Sequence, residues 1–265
     1  MAGQSSDGPG AGRAPDAGAG PGQRIAAFVT GGARGIGAAV CRQLARDGAR
    51  VAFCDLRIGA EGQDLSKELA GAGAVGRVFE LDVTDVAALQ GAIRATAREF
   101  GRLDILVNNA GVSRHEPIDA VTQDSWDAAL AVNLRAVFFA AQAAAPYLAK
   151  SGRGRIINVS SELAHLGSPM LVHYTAAKGG VLALTRSLAL ALAPSVNVNA
   201  VVPGPTDTEL FRRSPLFDPR LQSEIPIGRF GVPRDIALTV AFLAGEGGAI
   251  YTGQQFDANG GVVMP

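Results

Sequence analysis

Short apolar, β-prone runs alternate with helical stretches through most of this 265-residue chain. Parallel strands need a crossover connection, usually a helix, so this alternation predicts βαβ units and a parallel sheet. Polar or glycine residues stand where the first four apolar runs end: Gly31, Asp55, Asp82 and Asn109. Ligands of such sheets bind beyond the carboxyl ends of the strands. A binding site is therefore expected at this edge.

The same alternation continues to the end of the chain and predicts a single α/β domain. Strands are expected at 24–30, 51–55, 75–81, 103–108, 154–160, 196–202 and 254–257. Helices are expected up to about 47 and at about 61–70, 86–100, 124–148, 173–193 and 233–244. Because no internal repeat or second core is present, the predicted fold is a single-domain Rossmann-type doubly wound parallel sheet with helices on both faces. This single domain is assigned to residues 24–265.

A glycine-rich turn joins the first predicted strand to the first predicted helix. The segment 30–37 contains three glycines in a Gly-x-x-x-Gly-x-Gly spacing, Gly31, Gly35 and Gly37. Glycines allow close approach of the backbone to a ligand. A helix N-terminus offers free N–H groups and a positive dipole end to a pyrophosphate. This segment predicts a dinucleotide site, although an ordinary tight βα turn has the same local appearance.

The residues around the second strand bear on which nicotinamide dinucleotide is bound. Asp55 stands at the end of that strand, where a carboxylate accepts hydrogen bonds from the adenosine ribose hydroxyls and repels a 2′-phosphate. Arg34 and Arg57 favour the opposite choice, because either cation pairs with a 2′-phosphate. The expectation is that NAD is preferred and that NADP is an alternative.

Tyr174 and Lys178 are four residues apart in a predicted helix, so their side chains share one face. An ammonium fixed beside a phenol favours the phenolate, so Lys178 is expected to lower the pKa of Tyr174. A tyrosine with a lowered pKa serves as an acid or base near neutral pH. The pair alone is weak, because the same spacing occurs by chance in many helices.

Composition narrows the classes of partner. Lys and Arg number 24 and Asp and Glu number 24, so no bulk charge favours a nucleic acid or an anionic membrane surface. Cys41 and Cys54 form no metal-binding motif, so free thiols in a reducing compartment are expected, and no metal site. No uninterrupted apolar run of membrane-spanning length is present. A cytoplasmic protein without membrane or nucleic-acid partners is predicted.

Two segments depart from the strand–helix pattern. Residues 1–23 are rich in Gly, Ala, Pro and Ser and are predicted to be a disordered tail, without the features of a secretory signal. Residues 209–230 have no sustained period, contain three prolines, and carry Arg212, Arg213, Arg220 and Arg229. A long irregular segment inside a compact domain is typically functional. Residues 209–230 are predicted to be a substrate lid.

Taken together, the motifs resemble those of the classical short-chain dehydrogenase/reductase family over residues 24–262. The cofactor motif stands at 30–37, the motif that stabilises the sheet at 108–111, and the carboxamide-binding segment begins at Pro203-Gly204. The active-site set of the family is matched by Asn133, Ser161, Tyr174 and Lys178, with Ser161 in the family's position relative to Tyr174. Each motif is weak by itself, whereas the combination is specific.

The resemblance implies a role for each matched residue. Tyr174 would exchange a proton with the substrate oxygen, and Ser161 would hydrogen-bond that oxygen. Lys178 would lower the pKa of Tyr174 and bind the nicotinamide ribose, and Asn133 would hold a water for proton relay. The implied cofactor-binding residues are Gly31, Arg34, Gly35, Ile36, Gly37, Asp55, Asp82, Val83, Asn109, Ala110, Gly111, Tyr174, Lys178, Pro203, Gly204, Thr206 and Thr208.

Three functions remain open. The first is an NAD(P)-dependent oxidoreductase acting on a secondary alcohol or ketone, such as a polyol, a sugar or another small hydroxylated substrate. Polar residues expected near the pocket favour it: Arg114, His115, Glu162 and His165. The alternative is a 3-oxoacyl-thioester (acyl carrier protein) reductase using NADPH. Three basic residues favour it: Arg34, Arg212 and Arg213. A non-enzymatic dinucleotide sensor is the third.

The two long helices predicted at 124–148 and 173–193 are apolar beyond a single stripe. A helix that is apolar all round is buried or partnered. Family members of this type pair these helices, so a homodimer or homotetramer is expected.

Overall fold

The computed structural model of the chain describes residues 24–74, 77–215 and 217–265. The predicted tail, residues 1–23, lies outside the described residues, as does the start of the predicted third strand, residues 75–76. The described part contains a seven-stranded sheet whose neighbouring strands are all parallel. The predicted α/β fold, a doubly wound parallel sheet with helices on both faces, is confirmed.

The strands are short, and they begin and end close to the positions predicted from the apolar runs. They are β1 (Ala26–Thr30), β2 (Arg50–Asp55), β3 (Val78–Glu80), β4 (Ile105–Asn108), β5 (Gly154–Val159), β6 (Val196–Val201) and β7 (Gln255–Phe256). Their order across the sheet is β3-β2-β1-β4-β5-β6-β7. The chain reverses its direction of travel between β1 and β4, so the switch point that binds ligands in such sheets lies between these two strands.

Helices connect the strands and cover the sheet. They are α1 (Gly35–Arg46), α2 (Gly59–Gly71), α3 (Val86–Phe100), α4 (Gln123–Leu130), α5 (Ala136–Ser151), α6 (Leu163–Leu166), α7 (Val172–Leu192), α8 (Glu209–Arg212) and α9 (Pro233–Ala244). Two 3₁₀ helices lie at Pro219–Glu224 and Glu246–Gly248.

The core has two halves, one on each face of the sheet, because successive strand residues point to opposite faces. In β1, Ala27 and Val29 pack with residues of α1 and α9, whereas Ala26 and Phe28 pack with residues of α3 and α5. All four side chains are fully buried. Burial on both faces explains why the strands are continuous apolar runs rather than alternating patterns.

Three local features differ from the expectation. The predicted helix at 124–148 is interrupted by a five-residue π-helical turn, Ala131–Arg135. The segment after β5, predicted as a loop, contains the four-residue helix α6. Residues 209–230 contain α8 and a 3₁₀ helix. Helices of one turn are not stable alone, so tertiary contacts rather than hydrophobic periodicity decide where they form.

The stretch Gln123–Ser151 comprises α4, the π turn and α5, and it has a mean hydropathy of 1.5 over its most apolar window. Length and composition alone would let this 29-residue stretch cross a membrane. Its apolar character has another explanation here, because Ala140, Ala141, Ala144 and Leu148 are buried in the core beneath the sheet. Its outer side carries exposed residues such as Phe138.

Candidate active site

The glycine turn lies at the switch point and is too tightly packed to accept larger residues. Gly31 and Gly35 have positive φ angles of 64° and 55°. A Cβ added to Gly31 would lie 2.8 Å from Ala110 Cα, and one added to Gly37 would lie 1.9 Å from Gly31 O. The turn leads directly into α1, whose first N–H groups have no side-chain cap. Ile36, in the first turn of α1, packs against the core.

Asn109 connects the end of β4 to this turn. Its Nδ2 donates to Thr30 O at 3.1 Å and to Gly31 O at 2.9 Å. In return, Thr30 Oγ1 accepts hydrogen bonds of 3.0 Å from Asn109 N and Ala110 N. The predicted motif at 108–111 therefore holds the glycine turn in place through side-chain and backbone bonds.

Asp55 faces the same turn from the end of β2. Its carboxylate is 7% exposed and accepts a 3.1 Å hydrogen bond from Ala33 N. Arg34 is exposed beside it. An open groove follows directly, lined by Leu56, Arg57, Gly59 and Glu80. Asp55 thus has a structural bond to the turn as well as a position suited to a ribose.

Asp82 and Val83 follow β3 at the same edge. Asp82 is exposed, and one of its oxygens accepts a 2.8 Å hydrogen bond from Thr84 N. Val83 is buried and lines a small cavity between Thr30, Ala110 and α5. Asp85 caps α3 by accepting a 3.0 Å hydrogen bond from Ala88 N.

Asn133 lies inside the π turn and is fully buried. Its Nδ2 donates to Ala129 O at 2.9 Å and to Val112 O at 3.0 Å, and its Oδ1 accepts from Val112 N at 3.2 Å. The position of a Cβ on Gly111 would be 3.0 Å from Asn133 Oδ1 and 3.6 Å from Lys178 Nζ. Asn133 and Lys178 thus border a common space beside Gly111.

Tyr174 and Lys178 lie one turn apart on α7, as predicted; Lys178 is buried and Tyr174 is half-buried. Lys178 Nζ donates to Val159 O at 2.8 Å and lies 5.7 Å from the centre of the Tyr174 ring. Burial lowers the pKa of Lys178 to about 8. Its ammonium is therefore readily deprotonated and is directed at a backbone carbonyl.

The prediction that Lys178 lowers the pKa of Tyr174 is wrong when only the protein's own groups act on the tyrosine. Burial raises the pKa of Tyr174 to about 12, the nearby Ser161 hydroxyl lowers it in part, and the charge of Glu162 raises it further. Desolvation disfavours the phenolate, and Lys178 does not offset this effect. A free phenolate at neutral pH would need a further positive charge in the cleft.

Ser161 stands at the carboxyl end of β5 and is 7% exposed. Its Oγ accepts a 3.2 Å hydrogen bond from Leu163 N and lies 3.3 Å from Glu162 Oε2. Ser160, the preceding residue, is bonded instead to Lys178 O at 2.9 Å. The two serines therefore have different surroundings, and it is Ser161 whose hydroxyl affects the pKa of Tyr174.

The segment after β6 lies above the same edge. Gly204 packs so closely on Asn259 that an added Cβ would lie 2.8 Å from its Cα. Thr206 Oγ1 donates to Gly204 O at 2.8 Å. Thr208 caps α8, and its Cγ2 would be 3.7 Å from a Cβ on Gly35, so this segment reaches the glycine turn.

The predicted lid, residues 209–230, continues from this segment and contacts the loop after β4. Ser214 Oγ and His115 Nε2 lie 3.1 Å apart. Each arginine of the segment has a carboxylate partner: Arg212 with Asp207, Arg213 with Glu209, Arg220 with Asp218, and Arg229 with Asp235. The positive charge expected there from sequence is thus locally balanced.

Sequence reasoning missed one buried ionisable pair next to this site. His173, directly before Tyr174, is 1% exposed, and its Nε2 lies 3.5 Å from Glu116 Oε2. Arg114 Nε pairs with the other oxygen of Glu116 at 2.9 Å. Arg114 and Glu116 precede His173 by many residues, so no local spacing connects them. His165, also expected near the pocket, lies 3.9 Å from Asp257.

Known proteins resemble this chain over nearly its whole length. A family model described as Enoyl-(Acyl carrier protein) reductase matches residues 31–263. The chain is 37% identical over 240 residues to the 3-oxoacyl-[acyl-carrier-protein] reductase FabG of Thermotoga maritima, covering 89% of this chain and 97% of that protein. It is 40% identical over 243 residues to the D-threitol dehydrogenase of Mycolicibacterium smegmatis, covering 90% of this chain and 92% of that protein.

A solved structure has the same fold. The crystal structure of a blue fluorescent protein from a metagenomic library, in complex with NADPH, superposes with a TM-score of 0.86 at 37% identity, covering 91% of this chain and 98% of that chain. The protein is an NAD(P)-dependent oxidoreductase acting on CH–OH groups and the corresponding carbonyls. With the motifs, the fold and these relatives in agreement, the chain belongs to the classical short-chain dehydrogenase/reductase family.

Proposed function

We propose that the protein interconverts a secondary alcohol and a ketone on a small hydroxylated substrate, such as a polyol or a sugar. One observation carries the proposal. Ser161 lies close enough to Tyr174 to affect the pKa of its hydroxyl, and Lys178 and Asn133 border one space beside Gly111, at the edge of the sheet that also holds the glycine turn. These residues thus form an acid/base group beside a cradle for a pyrophosphate.

The residues at the switch point fit a nicotinamide dinucleotide. Gly31 and Gly37 leave no room for a Cβ because the turn packs tightly on itself and on Ala110, and the uncapped N-terminus of α1 that follows would receive a pyrophosphate. Asp55 and the groove after it would hold the adenosine, together with Asp82 and Val83. Pro203, Gly204, Thr206 and Thr208 would hold the carboxamide. The nicotinamide, when bound, supplies or accepts the hydride.

The remaining roles follow from the geometry of the side chains. Tyr174 is neutral at neutral pH, because burial raises its pKa to about 12, so it is ready to donate a proton to a carbonyl oxygen. In the oxidation direction it must lose that proton, which a cationic group in the cleft would assist. Lys178, with a pKa lowered to about 8, exchanges protons near neutrality, and Asn133 would position a water beside it.

The substrate proposal takes its support from the lid and from one relative. Balanced charges in residues 209–230 leave little net attraction for an acidic carrier protein. A D-threitol dehydrogenase is among the similar proteins, and its name describes a polyol substrate. We also propose that residues 209–230 close over the substrate, because the segment contacts His115 on the loop after β4.

Removal of a single hydroxyl tests the function. We expect Tyr174→Phe to lower kcat by about 10²–10⁴-fold, the range for loss of a general acid, while binding of the dinucleotide is retained. Turnover would be followed by nicotinamide absorbance on a panel of polyols, sugars and simple alcohols. Tyr251→Phe is the matched control, because Tyr251 packs against Phe242 and Phe256 away from Tyr174. Undiminished turnover by Tyr174→Phe would refute the assignment.

We propose that NAD is preferred over NADP, because Asp55 would repel a 2′-phosphate. Asp55→Asn keeps an oxygen for the bond from Ala33 N but removes the charge. We expect this change to reduce the ratio of kcat/KM for NAD to that for NADP by about tenfold, which corresponds to roughly 1.4 kcal/mol. The NADPH complex of the similar fluorescent protein represents the competing outcome. A wild-type enzyme that already prefers NADP would contradict this proposal.

A second candidate, reduction of 3-oxoacyl thioesters with NADPH, is favoured by the similarity to FabG and by the exposed Arg34. Assays with an acetoacetyl thioester and NADPH, run beside the polyol panel with NAD, separate the two. A kcat/KM for the thioester more than about tenfold above the best polyol would establish the second function. Charge reversal of Arg212 and Arg213 would then be expected to weaken use of a carrier-bound substrate.

We further propose that the protein acts in the cytoplasm as a homodimer or homotetramer. Both cysteines are free thiols buried in the core, which suits a reducing compartment. Exposed apolar side chains on the long helices, among them Trp126, Phe138 and Leu190, suit a contact with a second copy.

A further inference from the structure

Ser161 has a carboxylic acid as its direct neighbour, and the fold fixes both side chains. Glu162 is 9% exposed, and its Oε2 lies 3.3 Å from Ser161 Oγ. Its backbone N–H donates to Pro203 O at 3.0 Å, and its backbone O accepts from His165 N at 2.9 Å at the start of α6. Glu162 is therefore anchored at both backbone groups, and its side chain is held against the serine.

The hydrogen-bonding capacity of Ser161 is limited. A serine hydroxyl has one hydrogen to donate and two lone pairs to accept with. Leu163 N takes one lone pair through its 3.2 Å bond. One hydrogen and one lone pair remain for Glu162, Tyr174 and the substrate. The function proposed above requires the hydrogen of Ser161 for the substrate oxygen, so Glu162 cannot also receive it.

We propose that Glu162 is a positioning residue that sets the direction of the Ser161 hydroxyl hydrogen, and this inference rests on the proposed function. A neutral Glu162 donates its own hydrogen to the free lone pair of Ser161 and leaves the serine hydrogen directed at the substrate. An ionised Glu162 has only acceptor oxygens, so it takes the serine hydrogen and competes with the substrate. The active form of the enzyme is thus the one with Glu162 neutral.

The surroundings of Glu162 place this switch in an accessible range. Burial raises the pKa of Glu162 to about 7, although its bond with Ser161 lowers it in part. The helix packed against it, α7, carries His173, Tyr174, Lys178 and Arg186. His173 faces Glu116, whereas Tyr174 interacts with Glu162 electrostatically. On its own helix lies His165, which faces Asp257 at 3.9 Å. Both protonation states of Glu162 are therefore populated near neutral pH.

The sign of the pH effect distinguishes Glu162 from Tyr174. Tyr174 must be protonated for reduction and deprotonated for oxidation, so its titration acts in opposite senses in the two directions. Glu162 must be neutral in both directions, because the serine hydrogen is needed by the same transition state. A rise of pH through about 7 is thus expected to reduce the Glu162-dependent part of kcat/KM for oxidation and for reduction alike.

The test compares the pH profiles of wild-type enzyme and Glu162→Gln in both directions. The glutamine amide donates to Ser161 at every pH, so the ratio of kcat/KM, variant over wild type, is expected to rise by about tenfold or more from about pH 6 to about pH 9. Asp257→Asn is the matched control. It removes a carboxylate whose pKa is also raised by burial but which faces His165 rather than Ser161, and its ratio is expected to stay flat.

Each outcome decides the inference. A flat ratio for Glu162→Gln, or a ratio that rises in one direction only, would overturn it while leaving the proposed function intact. If wild-type enzyme turns over no alcohol or ketone, the proposed function fails instead. Infrared spectra, wild type minus Glu162→Gln, need no turnover: a protonated-carboxyl band that disappears as pH rises through about 7 supports the inference, and its absence at low pH overturns it.

Discussion

At the scale of single residues, the surrounding backbone restricts the side chain most strongly at Gly37. A Cβ there would lie 1.9 Å from Gly31 O, a backbone atom that cannot move without opening the turn. We expect Gly37→Ala to destabilise the fold by about 1–3 kcal/mol, the usual cost of overpacking, and to weaken dinucleotide binding by more than about tenfold. Thermal unfolding and fluorescence titration with NADH measure the two effects.

Gly91 offers the matched control for that substitution. It lies within α3, and nothing stands within 4 Å of the position its Cβ would occupy. Alanine is better than glycine in a helix by about 0.5–1 kcal/mol, so Gly91→Ala should stabilise the protein and leave NADH binding unchanged. A Gly37→Ala variant that behaves like Gly91→Ala would show that the turn is not as rigid as its contacts indicate.

How far the site could be predicted depends on whether each property is local. The spacing of Tyr174 and Lys178 and the glycine turn were predictable, because a few neighbouring residues set them. The effect of Lys178 on Tyr174 was not, because it depends on burial and on the direction of the ammonium toward Val159 O. The approach of Glu116 to His173 depends on how a distant loop packs, and no local pattern contains that information.

At the scale of elements, Asn133 shows how one side chain reshapes a helix. Asparagine is unfavourable within helices because its amide competes for backbone partners. Here it bonds Ala129 O and both backbone groups of Val112, and the helix widens into the π turn Ala131–Arg135. From sequence alone, an asparagine within a helical stretch indicates either a kink or a polar site. Only the fold shows that it attaches the loop after β4 to the helix.

The contact between His115 and Ser214 joins that loop to the proposed lid. Burial lowers the pKa of His115, so the imidazole is neutral at neutral pH. A neutral hydrogen bond contributes about 0.5–1.5 kcal/mol, so His115→Ala is expected to raise KM for the substrate by about 2- to 12-fold. The dissociation constant for NADH should not change, because the described contact of His115 is with the proposed lid and not with the residues proposed to hold the dinucleotide.

A double-mutant cycle separates this contact from the other effects of each substitution. His115→Ala, Ser214→Ala and the double variant would be compared by KM. A coupling energy near zero would contradict the role of the contact in lid closure. Because the lid role was predicted from irregularity alone, this cycle is also the direct test of residues 209–230 as a lid.

At the scale of the whole molecule, the alternation of strands and helices was sufficient to predict the architecture. Both faces of the sheet had to be covered, because its strands were apolar throughout. The alternation of strands and helices could not predict the structure of short segments such as α6 and α8. These helices have too few residues to show a hydrophobic period. These segments surround Ser161 and Thr208, so the substrate side of the site is the part the sequence left open.

The outer surface leads to the last prediction. Phe138 on α5 and Leu190 on α7 are 38% and 84% exposed, on helices whose inner sides are buried in the core. Water contact with such side chains is unfavourable, so association of copies through these helices is expected. Light scattering should give two or four times the 27.1 kDa mass of the chain.

Phe138→Glu should shift this mass downward, because it would bury a charge without a partner. Ile118→Glu, at a 77% exposed position on the loop after β4, should leave the mass unchanged. A monomeric wild-type protein would contradict the proposed assembly.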